Sequence, residues 1–191
     1  VNEPKILATW QFYWDPNGNP NDTLDEPYDE GWLGIEHRGQ SSQWFPQKSF
    51  GIELRQLDSL SPRPLALCGM PASEDWVLYA PYLDKSLVRN KLAYHMARRQ
   101  EGVWAPSTQY VEVFLNDEYQ GLYVLIERIK KDKDRLNLAT LRPNENTGMD
   151  LTGGYIFKID KEDLGDWGWT SPYPAPGGNA GQSIRYQGVY P

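Results

Sequence analysis

Lys48 stands in phase with Phe50, Ile52 and Leu54 along the alternating run Lys48–Leu54. Alternation places these four side chains on one face of a strand. The ammonium is therefore aimed at a core or a cleft, not automatically at water. An unpaired buried ammonium is costly, so a lysine placed this way needs an anionic partner. Just upstream, a first β-like run ends at Arg38, and Gly39, Gln40, Ser41, Ser42 and Gln43 form a small polar connection. A strand, a Gly- and Ser-bearing loop and a second strand with an inward lysine can hold nucleotide phosphates. Loop N–H groups would meet the oxygens and the lysine would meet the charge. The plainer reading is a hairpin whose lysine reaches out to water at the strand end. The residues leave both open.

Other candidate chemistry is sparse. The oxygen-bearing turn Asp15, Asn17, Asn19 and Asp22 resembles part of a calcium loop, yet no late bidentate acid follows at a defined position. Its residues read as a surface turn instead. Cys68 is the single cysteine, which excludes an internal disulfide and a cysteine-built zinc centre. His37 and His95 are the two histidines and form no ligand set. No catalytic residue and no metal site is identified in the sequence itself.

The bulk properties bound the answer further. The 191 residues, 39% apolar and 24% charged, have the composition of a globular domain with a real core. The net charge of −7 argues against a nucleic-acid partner, since phosphate neutralisation needs clustered Lys and Arg. The one basic cluster, Arg128–Arg135, is interleaved with Asp132 and Asp134 and reads as a solvated helical face. No apolar run approaches the roughly 20 residues of a spanning helix, so no membrane span is expected. The start, Val1-Asn2-Glu3-Pro4, carries no signal peptide, and the absence of an initial Met suggests a chain processed or excised from something longer.

The elements that must position these residues follow from periodicity. Strands are expected over Lys5–Trp14, Gly31–Arg38, Lys48–Leu54, Asp75–Tyr79, Gln109–Leu115, Leu122–Ile126 and Gly153–Asp160. Asn116–Gly121 reads as a hairpin turn, and the nearly unbroken apolar run Leu122–Ile126 as an interior strand. Asp84-Lys85-Ser86 looks like a cap for a helix that ends near Gly102. Its Leu87, Val88, Leu92 and Met96 are expected to pack on the sheet, with Leu92→Ala costing about 2–5 kcal/mol. A short polar helix is expected after Glu127. Beyond Asp160 the chain turns Trp-, Gly- and Pro-rich. The expected class is α+β, an antiparallel β-sheet with one main packing helix over residues 1–161, followed by an irregular segment over 162–191.

With these elements in place, the chain resembles the spore-coat protein H (CotH-like) kinase family. Four segments carry the likeness: Arg38–Ser42 through Phe45–Phe50; Asp75–Leu78 with Tyr82–Asn90; Val111–Asn116 with Tyr119–Glu127; and Gly153–Asp160. Together they cover about two thirds of the chain. The resemblance implies the N-lobe of an atypical kinase, of the bacterial secreted or spore-associated type. Such proteins use ATP with Mg²⁺ or Mn²⁺ to phosphorylate Ser or Thr of extracellular or coat proteins. The implied nucleotide-binding residues are Arg38, Gly39, Ser41, Ser42, Lys48 and Glu127. Lys48 would hold the α/β-phosphates and Glu127 would stand at the hinge, unless it is simply a strand-end acid. Arg38 contacts phosphate or pairs with Glu36 or Glu53. Arg89 would pair across to the sheet as a kinase helix–strand ion pair does.

The likeness also breaks. The family's extra leading strand is absent, and the acids that hold metal in phosphoryl transfer are expected at about or beyond the end of this chain. Asp160, Asp163 and Asp166 sit in no recognisable catalytic-loop context. The chain alone is therefore expected to be inactive as a phosphotransferase. The alternative is a non-catalytic surface, assembly or binding module that keeps the fold. The implied location is secreted or cell-surface, and the implied partners are a nucleotide and a protein substrate or assembly partner.

Overall fold

The structure, a computed structural model, describes residues 4–58, 61–160, 167–174 and 183–191. It divides into two compact units, residues 1–128 and 129–191. The first holds a six-stranded antiparallel sheet built from β1 (Ile6–Phe12), β2 (Asp29–Arg38), β3 (Ser49–Arg55), β4 (Asp75–Tyr79), β5 (Thr108–Leu115) and β6 (Glu118–Glu127). Their order across the sheet is β1-β2-β3-β4-β6-β5. Two-residue alternation sorts the side chains: Phe50, Ile52 and Leu54 on β3, Trp76 on β4, and Tyr123 and Leu125 on β6 form the buried core with Leu33. The phase read for Phe50, Ile52 and Leu54 is the phase observed.

The other face of the same strands carries charge. Lys5 pairs with Glu53 at 3.0 Å and Glu36 at 3.9 Å, and Arg55 pairs with Glu53 at 3.3 Å. Gly34 and Gly51 lie opposite Glu53 and Glu36 in the β2–β3 register. A Cβ at Gly51 would press on Glu36 Oε1 at 2.9 Å, so the missing side chains make room for the ion pairs to lie along the strands.

The expectation of an α+β fold with a main packing helix is overturned. Among the described residues 41% are strand and 11% helical, with one α-helix, and the six-stranded sheet curls into a half-barrel. That helix, α1 (Arg89–Arg98), buries none of its residues. Leu92 and Met96 are 51% and 58% exposed. The core face is covered instead by the connector before β4, whose Leu67 and Met70 are buried. It turns tightly there: Met70 N–H donates to Leu67 O at 2.9 Å, and Cys68 and Gly69 both take positive φ. Burial pushes the Cys68 thiol up to about 11, with nearby Lys91 opposing. Periodicity had identified an apolar stripe on α1 correctly but not what lies against it. Leu92→Ala is now expected to cost under about 1 kcal/mol in a denaturant titration.

The residues directly after Glu127, 128–147, form no helix. Among the described residues of the second unit, Lys131 and Leu136 make an isolated bridge, and Arg135, expected on a solvated face, is buried with Asp132 at 3.4 Å. Strand β7 (Ile156–Lys158) pairs with β9 (Ser183–Tyr190), which pairs with β8 (Gly168–Pro174). The Trp- and Gly-rich tail thus contributes two strands of this small sheet. Trp169 packs edge-on to Phe157 at 4.8 Å and stacks on Tyr186 at 5.4 Å. Tyr190 Oη accepts from Lys131 Nζ at 3.0 Å, and that bond lowers the phenol's pKa. Asp163 and Asp166 lie outside the described residues.

Candidate nucleotide-phosphate site

Strands β2 and β3 are paired down to Arg38 and Ser49, so residues 39–48 form the loop that closes them. Gly39 opens it at φ 88, a left-handed value that favours glycine. A Cβ there would collide with Ser42 Oγ. Ser41–Trp44 then form a single 3₁₀ turn, with Gln43 N–H donating to Gln40 O at 3.2 Å and Phe45 N–H to Ser42 O at 3.2 Å. Gln43 Nε2 donates back to Gly39 O. The loop is thus tied to itself at its mouth and at its tip.

Lys48 completes it. Its ammonium donates to Gln43 O at 2.6 Å and to Phe45 O at 2.5 Å. The carbonyl end of a short helical turn carries partial negative charge, which a cation satisfies. The ammonium is half-buried within the loop, not extended into solvent on the opposite face. Of the six residues implied by sequence, five stand here: Arg38 at the end of β2, Gly39, Ser41 and Ser42 in the loop, and Lys48 at its close.

Glu127 stands apart. It ends β6 in register with Trp76, which is in register with Ile52. That places it two strands across and four residues along from Lys48, roughly 15 Å by strand geometry. Its side chain is buried, and Oε2 accepts from Ser107 N–H at 2.7 Å. The carboxylate fastens the chain entering β5. Arg89 does not reach the sheet as a helix–strand partner: it pairs with Asp84 at 3.5 Å and is 78% exposed. Asp84 itself accepts from Arg89 N–H at 2.8 Å and so holds the start of α1. Hydrogen bonds led by Ser86 Oγ keep its carboxyl below the ordinary range. The turn read as a weak calcium candidate uses its acid internally, with Asp15 accepting from Asn17 N–H, Asn17 Nδ2 and Asn19 Nδ2.

Several residues that shape the loop escaped sequence reading. Gln47 Nε2 donates to Leu122 O at 3.0 Å and to Gln120 O at 3.3 Å, anchoring the loop to β6. Phe45 stacks on Tyr82 with centroids 5.4 Å apart. Ser49 Oγ accepts from Ala80 N–H at 2.9 Å. Each partner is distant in the chain, and no local pattern announces it.

Five of the six residues thus lie on the β2–β3 connection or at its edge, and a sequence model of one family spans it: the family described as CotH kinase protein matches residues 35–179. The chain belongs to the CotH kinase family. Nothing among the curated proteins matches it. The matched span starts three residues before Arg38 and takes in the loop, α1 and the β5–β6 hairpin, so this CotH kinase domain is kinase-like by family and carries its candidate site in the β2–β3 connection. Among the described residues of the CotH kinase chain, no helix is long and apolar enough to cross a membrane.

Proposed function

We propose that this domain is the nucleotide-gripping part of an atypical protein kinase, and that the 39–48 loop with Lys48 holds the phosphates of ATP. The observation that carries the reading is the position of the Lys48 ammonium inside a glycine-opened loop, on the carbonyls of Gln43 and Phe45. A phosphate would take the cation over from those carbonyls, and the loop would re-form around the oxygens with its N–H groups turned inward. Arg38 at the mouth adds a second positive charge. Gly39, at positive φ and with Ser42 Oγ packed where a Cβ would stand, lets the loop turn this tightly.

The donor set suits phosphate and does not suit a metal. Arg38, Gly39, Ser41, Ser42 and Lys48 include no carboxylate, and Glu127 spends an oxygen on Ser107. Magnesium or manganese would neutralise charge on the transferring phosphoryl group, and oxygen ligands other than these would hold it. The site described therefore supplies the grip on the nucleotide, while transfer to a Ser or Thr of an extracellular or coat protein draws on acids elsewhere. The family's association with the spore coat supports that acceptor class and a secreted or surface location.

ATP and adenosine separate this reading from others. If the loop grips phosphate, calorimetric titration of the purified chain in Mg²⁺ will show ATP binding about tenfold or more tightly than adenosine, a difference of about 1.4 kcal/mol. Gly39→Ala will erase that difference while the fold is retained. Equal affinity for the two ligands, or no affinity for either, would exclude the phosphate grip. It would favour the second reading, a surface or assembly module. For that reading the supporting observation is the exposed Trp167 and Tyr173, at 50% and 76%.

A further inference from the structure

Charge in the first unit is segregated. From Lys85 through Arg99 the chain carries Lys85, Arg89, Lys91, Arg98 and Arg99 and no acid, although the whole chain has 26 acids against 19 bases. This segment is α1 with its lead-in. Val88, Leu92 and Met96, spaced by four, lie on one face of it and are 45%, 51% and 58% exposed. An apolar stripe flanked by cations is thus presented outward.

The complement lies in the same chain. Between Ile6 and His37 there is no Lys or Arg, while Asp22, Asp25 and Glu26 crowd the β1–β2 connection. In their midst Leu24 is 92% exposed. Asp22 accepts from Leu24 N–H and Asp25 accepts from Asp22 N–H, which fixes the loop and leaves Leu24 at its crest. Asp29 is committed to Arg63 at 2.5 Å and takes no part. The two patches cannot reach each other within one copy: the acidic loop joins β1 and β2 at one edge of the sheet, and α1 lies against β5 at the other.

We propose that α1 docks on the 21–26 loop of a second copy of this chain. Leu24 would seat on Val88, Leu92 and Met96, and Asp22, Asp25 and Glu26 would face Arg99 and Arg89, which is 78% exposed although it also touches Asp84 at 3.5 Å. The two surfaces are different patches, so the contact is head-to-tail, and each added copy leaves one patch of each kind for the next. The inference does not depend on the nucleotide reading, because neither patch includes Lys48 or its loop.

Sedimentation velocity on the full chain tests it. At low salt the average mass should rise steadily with concentration. At about 0.5 M NaCl, where charges are screened within a few ångströms, it should fall to that of the monomer. Arg89→Glu/Arg99→Glu and Asp22→Lys/Asp25→Lys should each stay monomeric alone. Mixed together they should associate again, because the intact acidic loop of the first variant meets the intact α1 of the second. Leu24→Ser and Met96→Ser, which leave all charges in place, should each weaken association about tenfold or more. A wild-type chain that stays monomeric at low salt would overturn the proposal. So would a closed dimer that survives both charge reversals, or association unchanged by Leu24→Ser and Met96→Ser.

Discussion

Replacing Trp76 with alanine is expected to lower the free energy of unfolding by about 3–5 kcal/mol. Trp76 is 1% exposed, the largest of the fully buried side chains. It sits on β4 between Ile52 and Glu127 of the neighbouring strands. Its indole Nε1 donates to Ser73 O at 2.9 Å, so truncation opens a cavity and removes one of the two hydrogen bonds to that carbonyl, which also accepts from Leu65 N–H at 3.1 Å. Domains are stable by only about 5–15 kcal/mol, so the variant would stand close to its unfolding threshold. Trp76→Phe keeps most of the volume and should recover a large part of the loss. Urea titration reads the outcome as a lower midpoint at unchanged slope. A loss below about 1 kcal/mol would show that the core is not centred on β4.

Lys48→Ala is expected to reduce ATP affinity by about tenfold to a hundredfold, in line with the loss of a charge-assisted contact worth roughly 1.5–3 kcal/mol. Global stability should fall far less, because the residue lies outside β3 and its two carbonyl partners are in a loop that water can reach. Lys48→Arg keeps the charge in a longer, planar group, and should retain part of the ATP affinity while disturbing the loop. Side-by-side calorimetry of the three proteins, with adenosine as control, gives the result. Unchanged ATP affinity in Lys48→Ala would remove the lysine from the site and leave it a structural cap for the 3₁₀ turn.

Much of this was legible in the residues, and the remainder has identifiable reasons. Strand phase is a two-residue property, so Phe50, Ile52 and Leu54 revealed their shared face. The β5–β6 hairpin was legible because Asn116 and Asp117 are residue types that tolerate the positive φ they adopt. The role of α1 was not legible. Leu87, Val88, Leu92 and Met96 repeat as they would on a core-facing helix, and periodicity states only that one side is apolar. What covers the core is a stretch with no period, in which Leu67 and Met70 are placed by a left-handed turn. The basic run after Arg128 misled for a related reason, since alternating charges resemble a solvated helix even when one arginine is buried. In the site, Lys48 precedes β3, and its ammonium lies on the carbonyls of Gln43 and Phe45. These partners were not legible, because main-chain carbonyls carry no sequence signature.

The strand order has one further consequence. Strands β1 to β4 are each laid beside their immediate predecessor, and β5 and β6 form a hairpin of their own. The two blocks meet along a single ladder, Trp76–Tyr79 against Val124–Glu127. All the chain between Tyr79 and Val124, α1 included, is a loop whose ends that ladder must bring together, so its closing carries the largest entropic cost in the sheet. The 39–48 loop lies wholly inside the first block but is bonded through Gln47 to the second. Its internal bonds need only the first block, whereas its tie to β6 through Gln47 requires the hairpin to be docked.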